Sequence, residues 1–375
     1  MPTAIFFGGI RTPFCRAHKG ALADLRPDDM LVELLAANQA RLPNELNAQT
    51  PDDLIVGCAY PEGEQGYNLA RMVSIGLNWP VPGVTVNRLC ASSLEAVGTA
   101  AGQISGGWGK YYAVGGVESM SRIVRRGASF SESELIKKAN PHAYVANGET
   151  AERVADNFPH ITRAKQELLA SRSHQSANEA YEAGNYQNQI HPLATQRDEF
   201  IRYPVNHEKI ASLSPAFREN GTVTAATSSP LSDGAPAGWV LEKNFANDHG
   251  IESGLEIVDI AVAHVAPELM GMGPVPATQK IFERQGITAN DLSVVEINEA
   301  FAIQVLACLE QLQIPLEIVN NWGGALALGH PLGATGLRLM MTLESRMATA
   351  AHGDLGLATL CVGGGQGMSI LVKKF

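Results

Sequence analysis

The stretch Ala113-Val-Gly-Gly-Val-Glu-Ser-Met-Ser121 recurs near the end of the chain as Cys361-Val-Gly-Gly-Gly-Gln-Gly-Met-Ser369. Two more pairs precede it in the same order. The segment 50–56 (Thr-Pro-Asp-Asp-Leu-Ile-Val) resembles 288–294 (Thr-Ala-Asn-Asp-Leu-Ser-Val), and Val86-Asn87 resembles Val319-Asn320. Three matches in one order and with nearly equal offsets indicate an internal duplication.

The duplication divides the 375-residue chain into two similar halves. We predict an N-terminal half over 1–249, with its core at 1–121, and a C-terminal half over 250–375. The middle, about 122–249, has no counterpart and is richer in polar and charged residues, so we interpret it as a large insertion. A chain of this length is too long for one ordinary core and suits two domains of similar size.

Helical and strand-like segments alternate within each half. The run 84–86 is short and β-branched, which predicts a buried strand, and the following segment 92–104 predicts a helix of small residues. Residues 111–114 predict the next strand. This alternation predicts the α/β class, with a mostly parallel sheet covered by helices.

The charge, the hydropathy and the Cys content of the chain disfavour several classes of protein. The formal net charge of −10 argues against a nucleic-acid-binding protein, which usually carries a basic face. No apolar stretch approaches the ~18 residues that span a bilayer, and the N-terminus lacks signal-peptide regions, so we expect a cytoplasmic protein without a membrane span. The five Cys are odd in number and form no CxxC pair, which disfavours a disulfide framework or a metal site.

Cys90 lies between the predicted strand 84–86 and the predicted helix 92–104. The start of a helix carries partial positive charge and unpaired N–H groups, which stabilise a thiolate and can receive a developing oxyanion. We therefore predict that the pKa of Cys90 falls below the free value of about 8.5. This segment alone favours a catalytic thiol no more than a small buried side chain at a packed turn.

Three further segments carry candidate catalytic residues. His330 lies at the centre of the Gly-rich loop 320–336, where it can act as a base on a thiol. Cys361 ends a strand-like run and precedes Gly363 in a Gly run with available N–H groups, and a catalytic and a structural role are equally open for it. Asn298 follows another strand-like run, and its carboxamide either caps a helix or holds a water or an oxyanion.

Together these segments resemble the thiolase family, most closely its degradative 3-ketoacyl-CoA thiolases. The nucleophile motif of the family is similar to 86–93, its Asn-Glu-Ala-Phe box to 298–301, its Gly-His-Pro box to 323–336 and its C-terminal Cys-Gly box to 361–367. The likeness covers essentially the whole chain. It implies the duplicated thiolase fold, five layers αβαβα, with a coenzyme A-binding loop domain inserted in the first half.

The resemblance also implies roles for the candidate residues. Cys90 would be the acyl-accepting nucleophile, activated by His330, and Cys361 the acid and base at the substrate α-carbon. His330 with a water on Asn298 would form one oxyanion site, and the N–H groups of Cys90 and Gly363 the second. The implied reaction is thiolytic cleavage of 3-oxoacyl-CoA to acetyl-CoA and a shortened acyl-CoA, as in fatty-acid β-oxidation, reversible as a Claisen condensation.

Acyl-CoA and coenzyme A are the implied partners, both as substrates, and no resident cofactor is implied. The resemblance assigns coenzyme A and thioester contacts to Arg202, Ser229, Phe217, Met270, Ala300 and Phe301. Arg202 would lie near the nucleotide end and Ser229 near the pantetheine. Plain core packing stays open for Phe217, Met270 and Phe301. A homodimer or homotetramer and, for degradative members, a β-oxidation multienzyme partner are family expectations.

Besides a mild change at Ala91-Ser92-Ser93, where Gly-Ser-Gly or Gly-Ser-Ser is more usual, the chain departs from the family pattern in two places. Many thiolases have His-Met-Gly where this chain has Ala146-Asn147-Gly148, and the segment 122–142 is short and unusual. Both lie where selectivity for the acyl chain would be set. The preferred acyl group therefore does not follow from the resemblance.

Three other assignments compete with a degradative thiolase. Ketoacyl synthases share the duplicated fold and a Cys nucleophile, but they use His where this chain has Asn298 and lack the second Cys. A biosynthetic acetyl-CoA acetyltransferase that makes acetoacetyl-CoA differs mainly in substrate length and direction, so it stays open. A non-catalytic thiolase-like lipid-binding subunit is disfavoured by the intact set Cys90, Asn298, His330 and Cys361.

Overall fold

The computed structural model describes residues 2–375, in which helices and strands alternate. The strands are β1 (Ala4–Arg11), β2 (Cys15–Arg16), β3 (Asp53–Gly57), β4 (Gly83–Val86), β5 (Tyr111–Gly116), β6 (Glu118–Ser119), β7 (Ser232–Gly234), β8 (Pro236–Glu242), β9 (Leu255–His264), β10 (Leu292–Ile297), β11 (Leu355–Val362) and β12 (Gln366–Lys374). The α-helices are α1 (Pro27–Gln39), α2 (Asn44–Asn47), α3 (Leu69–Gly76), α4 (Ser92–Ser105), α5 (Glu134–Ala139), α6 (Asn147–Asn157), α7 (Arg163–Glu182), α8 (His207–Ala211), α9 (Lys243–Asp248), α10 (Pro274–Gln285), α11 (Ala302–Leu312), α12 (Ala325–Leu328) and α13 (Thr335–Met347). Short 3-10 helices span Gly63–Gln65, Leu89–Ala91, Ala225–Thr227, Pro267–Met272, Ala289–Asp291, Leu316–Ile318 and Leu332–Ala334. Among the described residues, no helix combines the length and the apolar character needed to cross a bilayer.

The topology of the first half is repeated in the second. The first half-sheet has the order β4-β3-β5-β8-β1, and the second has a bridge at Val319 followed by β10-β11-β12-β9. In each half the strands at the outer edge of the sheet pair in parallel, and the strands towards the middle of the sheet pair antiparallel. A short antiparallel pairing between β1 and β9 joins the two half-sheets. The predicted duplicated fold is therefore confirmed.

Two helices fill the space between the half-sheets. α4 and α13 pack against each other, α4 also against β3 and β5, and α13 against β10 and β11. α1 and α3 cover the outer face of the first half, and α10 and α11 that of the second. Buried apolar side chains accordingly form one central cluster and one outer cluster in each half. This is the predicted five-layered αβαβα arrangement.

The inserted segment is shorter than the sequence predicted. We placed its end at 249, but β8, within that range, lies between β1 and β5 in the first half-sheet. Every residue of β8 is buried. Its run 237–241 is apolar on both faces of the strand, which is typical of a strand inside a sheet that is covered on both sides. The insertion ends before β7, which forms a small separate sheet with β2 and β6.

The starts of α4 and α13 touch closely. The backbone N–H of Leu337 donates to the Ser93 hydroxyl oxygen at 2.9 Å. A Cβ added to Gly336 would lie 2.5 Å from the backbone nitrogen of Leu94, so a larger residue forces the helices apart. The two loops that carry the candidate nucleophile and the candidate base lead directly into these helices. This contact therefore fixes the two loops relative to each other.

Replacing Gly336 tests the close contact. Gly336→Ala should lower the free energy of unfolding by about 1–3 kcal/mol, the usual cost of overpacking a core. Gly102→Ala is the matched control, since Gly102 lies exposed in α4 and an added Cβ meets no atom within 4 Å. The control should gain about 0.5–1 kcal/mol, because Ala is favoured over Gly inside a helix. Urea unfolding of both variants gives the comparison, and equal stabilities would contradict the contact.

Candidate active site

Cys90 lies in the 3-10 turn Leu89–Ala91, which leads directly into α4. Asn87 fixes this turn: its side-chain oxygen accepts the N–H of Leu89 at 2.8 Å, and its amide donates to the carbonyl oxygen of Ala59 at 3.0 Å. Leu89 has a φ of 45°, a left-handed conformation that persists only where the surroundings hold it. Only 6% of Cys90 is exposed. The turn thus holds a nearly buried thiol at the start of a helix.

A cavity of about 510 Å³ opens beside Cys90. The first half, the inserted segment and the second half all contribute to its wall. Besides Cys90, the lining includes Tyr60, Arg125, Asn147, Leu332 and Gly363. The predicted nucleophile and the predicted N–H donor at Gly363 therefore meet at the junction of the two halves.

Burial raises the pKa of the Cys90 thiol to about 11. The N–H of Gly363, the positive charge of Arg125 and the N–H of Cys90 itself lower this pKa, but they do not offset burial. The predicted fall of the Cys90 pKa below about 8.5 is therefore wrong. The sequence indicates a helix start beside the thiol, but it does not show the desolvation that outweighs it. The thiol is protonated at neutral pH and needs a base to become a nucleophile.

His330 is a buried, neutral imidazole with a fixed orientation. Its Nδ1 lies 2.6 Å from the Thr335 hydroxyl, which itself donates to the carbonyl oxygen of Pro331 at 2.8 Å. The hydroxyl therefore accepts the proton of Nδ1, which leaves Nε2 as the unprotonated nitrogen. Burial, and then the charges of Arg338 and Arg125, lower the pKa of His330 to about 3. Nε2 is thus unprotonated throughout the neutral range.

Asn298 lies beside this base. Its amide nitrogen is 3.3 Å from Nε2 of His330, and its backbone N–H donates to the carbonyl oxygen of Thr359 at 3.0 Å. The capping alternative is wrong, because α11 begins at Ala302, beyond the reach of an N-cap at 298. The side-chain oxygen of Asn298 is buried without a donor among the described residues. A buried oxygen of this kind fits a site that receives a water or a substrate group.

Cys361 is the second-last residue of β11, opposite Gly367 of β12. It packs in a buried cluster with Met270, Ala300 and Phe301. Burial raises the pKa of the Cys361 thiol well above its ordinary value, and the neighbouring Cys90 and Cys308 add to the effect. Cys361 is therefore a protonated thiol close to Cys90, and three of the predicted thioester-pocket residues surround it.

The remaining predicted coenzyme A residues lie further out. Phe217 is 44% exposed and packs edge-on against Phe301, with ring centroids 5.9 Å apart. The N–H of Ser229 donates to the carbonyl oxygen of Ala300 at 3.0 Å, which places Ser229 next to the same cluster. Arg202 is exposed in the insertion, and its backbone N–H donates to Nδ1 of His174 at 3.3 Å. The structure thus groups Phe217 and Ser229 with the Cys361 cluster and places Arg202 apart.

A buried carboxylate that sequence reasoning missed, Glu118, joins the two halves at the cavity. It accepts the N–H of Ala59 and the N–H of Gly333, each at 2.9 Å, and the side-chain amide of Gln65 at 2.8 Å. Ala59 lines the cavity, whereas Gly333 follows His330 in its loop. The sequence does contain a signal for Glu118, because this residue belongs to the repeated stretch 113–121 and aligns with Gln366 in the second copy.

Glu299, the second missed carboxylate, holds the Gly-rich loop before His330. It accepts the amide of Asn320 at 2.9 Å, the hydroxyl of Ser173 at 2.6 Å and the N–H of Leu326 at 3.2 Å. A Cβ on Gly324 would lie 2.2 Å from its carboxylate carbon, so the Gly density of this loop allows the close approach. The loop is therefore held in place by hydrogen bonds to a buried carboxyl group.

The site combines a buried thiol, a neutral imidazole, a second thiol and directed N–H groups. Within residues 2–375, no three His, Cys, Asp or Glu side chains are grouped to hold a metal ion. A nucleophile, a base and N–H donors are the parts of covalent acyl transfer. Fold and site together define an acyltransferase.

The comparisons with known proteins identify the family. The model of the thiolase N-terminal domain matches residues 5–244, and that of the thiolase C-terminal domain matches 253–374. A 3-ketoacyl-CoA thiolase of Shewanella loihica is 40% identical over 100% of both chains, and one of Bacillus subtilis is 37% identical over 98% of both. The 3-oxoadipyl-CoA/3-oxo-5,6-dehydrosuberyl-CoA thiolase of Escherichia coli is 38% identical over 100% of both. The chain belongs to the thiolase family.

Solved structures agree with this assignment. The dimeric peroxisomal thiolase of Saccharomyces cerevisiae superimposes with a TM-score of 0.92 at 31% identity, covering 100% of this chain and 98% of that one. An acetyl-CoA acetyltransferase of Bacillus anthracis gives a TM-score of 0.90 at 32% identity, covering 100% and 99%. The resemblance and the fold class stated from the sequence are therefore confirmed.

The raised pKa of Cys90 predicts how the thiol reacts. Alkylation of Cys90 by iodoacetamide should accelerate continuously from about pH 7 to about pH 10, because the thiol stays protonated until the pH approaches a pKa of about 11. Cys58 and Cys308 are buried outside the cavity and should label more slowly at every pH. Timed labelling followed by peptide mass spectrometry measures all three rates. A rate for Cys90 that levels off below about pH 8 would show a thiolate that the structure does not support.

Proposed function

We propose that this thiolase cleaves 3-oxoacyl-CoA by thiolysis, with Cys90 as the carrier of the acyl group. The observation that supports this most is the meeting of two thiols from opposite halves. The N–H of Gly363 acts on the Cys90 thiol, and Cys90 in turn affects the pKa of Cys361. One thiol can thus hold the acyl group while the other exchanges a proton at the adjacent carbon.

In the first half-reaction the Cys90 proton passes to Nε2 of His330, and the sulfur attacks the C3 carbonyl carbon of the substrate. The carbonyl π pair moves to oxygen and returns as the C2–C3 bond breaks. The electron pair of that bond stays on C2, which takes the proton of the Cys361 thiol. Acetyl-CoA leaves, and Cys90 keeps the shortened acyl group as a thioester.

In the second half-reaction the Cys361 thiolate takes the proton of coenzyme A. The coenzyme A sulfur attacks the acyl carbon, and Cys90 leaves and regains its proton from His330. The sum is one 3-oxoacyl-CoA plus one coenzyme A giving acetyl-CoA and an acyl-CoA two carbons shorter. All protons return to their starting groups, so no further reactant is needed.

Negative charge develops on oxygen in both half-reactions and needs fixed donors. We assign one oxyanion site to the N–H groups of Cys90 and Gly363. We assign the other to protonated Nε2 of His330 together with a water on Asn298. The unpartnered oxygen of Asn298 supports this assignment, because it has an acceptor position to offer such a water.

Coenzyme A is proposed to reach Cys361 from the inserted segment. The half-exposed Phe217 and the buried cluster of Met270, Ala300 and Phe301 offer an apolar wall for the thioester end. Ser229 lies next to this wall and suits the pantetheine amides. Arg202 is exposed further along the insertion and suits the nucleotide phosphates.

The relatives and an exposed strand edge support a homo-oligomer acting on acyl-CoA. The yeast relative is dimeric by its own description. In this chain β4 ends the nine-stranded sheet, and Val84 on it is 37% exposed. An uncovered edge strand is a template for pairing with a second copy. The same proposal assigns the chain to fatty-acid β-oxidation, alone or with a multienzyme partner, because relatives carry the name 3-ketoacyl-CoA thiolase.

Substitutions of Cys90 and Cys361 should impair different steps of the reaction. Cys90→Ala should lower thiolysis by more than about a thousandfold, because the covalent route is lost. Cys361→Ser should slow acetyl-CoA formation by about 10²–10⁴-fold, the contribution of a general acid, yet still release coenzyme A from acyl-CoA in a single burst. Cys15→Ala, a buried Cys in the small sheet, should keep both activities. Loss of the burst in Cys361→Ser would contradict the assigned roles.

A further inference from the structure

The unusual segment after residue 121 carries three arginines, Arg122, Arg125 and Arg126, which differ in their partners. Arg122 forms an ion pair with Glu64. Arg126 donates to the carbonyl oxygen of Tyr144 at 2.7 Å and lies 3.7 Å from the Glu132 carboxylate. Arg125 lines the cavity, and among residues 2–375 no ion pair joins it to a carboxylate. The wall of the substrate cavity therefore carries one cation without a counter-charge.

Arg125 lies near the reacting atoms. Its charge lowers the pKa of the Cys90 thiol, where it opposes the larger effect of burial. It also lowers the pKa of His330, where it adds to the larger effect of burial. Charge effects of this kind fade beyond about 10 Å in salt solution. Arg125 and Cys90 also line the same cavity, so a substrate bound at Cys90 shares this space with the guanidinium.

The phosphates of coenzyme A are unsuitable partners for this cation. The pantetheine arm separates the thioester sulfur from the diphosphate by ~14 Å, roughly four residue lengths of extended chain. A guanidinium that acts on Cys90 is too close to the thioester to reach them. The carboxylate of Glu62 lines the same wall but forms no ion pair with Arg125 among the described residues. We therefore consider the acyl end of the substrate as the source of a counter-charge for Arg125.

The rest of the cavity wall also suits a polar acyl chain. Tyr60, Tyr144 and Asn147 add hydroxyl and amide groups to the lining. Glu62 lines the cavity as well, but its carboxylate accepts the N–H of Ala128 at 2.8 Å. The Tyr60 side chain already interacts with the Arg125 guanidinium, and the Tyr144 hydroxyl accepts the N–H of Ser133 at 3.2 Å. A polar acyl chain still suits this lining better than an alkyl chain, which offers no polar contacts.

We propose that Arg125 binds a carboxylate at the far end of the acyl chain, so that the substrates are 3-oxoacyl-CoA thioesters of short dicarboxylic acids. This inference rests on the thiolysis proposed above. Thiolysis of such a substrate leaves a carboxylated acyl group on Cys90 and then on coenzyme A. Two to four methylenes between the two carbonyl carbons span roughly 4–6 Å, at about 1.2 Å per bond of extended chain. A chain of this length is short enough to lie within the cavity of about 510 Å³ that Cys90 and Arg125 both line.

The test compares two substrates of equal chain length, 3-oxoadipyl-CoA and 3-oxohexanoyl-CoA, which differ in the terminal carboxylate. The wild-type kcat/KM should favour the carboxylated substrate by at least about tenfold, as expected for one charge-assisted hydrogen bond. Arg125→Gln should remove this preference, and Arg125→Lys should keep part of it. The ratio between the two substrates is the readout, because loss of the Arg125 charge also raises the pKa of Cys90 for both.

Arg122→Gln is the matched control, since Arg122 lies in the same segment but is paired with Glu64. It should leave the ratio unchanged. Cleavage of both substrates at similar kcat/KM would overturn the inference while leaving the proposed thiolysis intact. A preference that survives Arg125→Gln would overturn the role of Arg125. Cleavage of neither substrate, nor of other 3-oxoacyl-CoA chains, would overturn the proposed function itself.

Discussion

The close contact between the starts of α4 and α13 is the constraint on which the site depends. Gly336 allows the backbone of α13 to approach Leu94 of α4, and Leu337 donates across the same contact to Ser93. Cys90 precedes one helix and His330 precedes the other, so the contact sets their separation. Glu118 adds a second tie between the halves through Ala59 and Gly333. The chemistry therefore needs both halves of the duplicated chain.

Burial between the half-sheets has an electrostatic consequence. It raises the pKa of Cys90 and Cys361 and lowers that of His330, so the three groups are neutral at physiological pH. A neutral set avoids an isolated buried charge, which would be costly. In the proposed mechanism, charge appears only when the substrate is attacked, and the N–H groups of Cys90 and Gly363 are assigned to receive it. The resting site therefore holds a protonated Cys90 thiol and not a thiolate.

Part of this account could be predicted from the sequence. The repeated stretches and the alternation of helices and strands predicted the duplicated fold, because both are local patterns. The strand β8 was missed because the insertion separates it from β5, whereas its counterpart β12 directly follows β11. The candidate catalytic residues could be selected from the sequence because each stands near the end of a strand-like run or in a Gly-rich loop.

What the sequence could not predict depends on distant contacts. The sign of the Cys90 pKa shift comes from burial by the other half, which no local pattern reveals. Glu118 matters through N–H groups of two loops that only the fold brings together. Arg125 lies in a segment that was noted as unusual, but its place in the cavity wall and its lack of an ion pair among the described residues required coordinates.

The central claim is that the junction of the two halves makes Cys90, and not Cys361, the carrier of the acyl group. Mass spectrometry of the wild-type protein after mixing with a 3-oxoacyl-CoA, without free coenzyme A, tests this most directly. We predict a single acyl group, two carbons shorter than the substrate acyl chain, on the peptide that contains Cys90. An acyl group on the peptide that contains Cys361, or acetyl-CoA formation with no acyl group on the protein, would contradict the account.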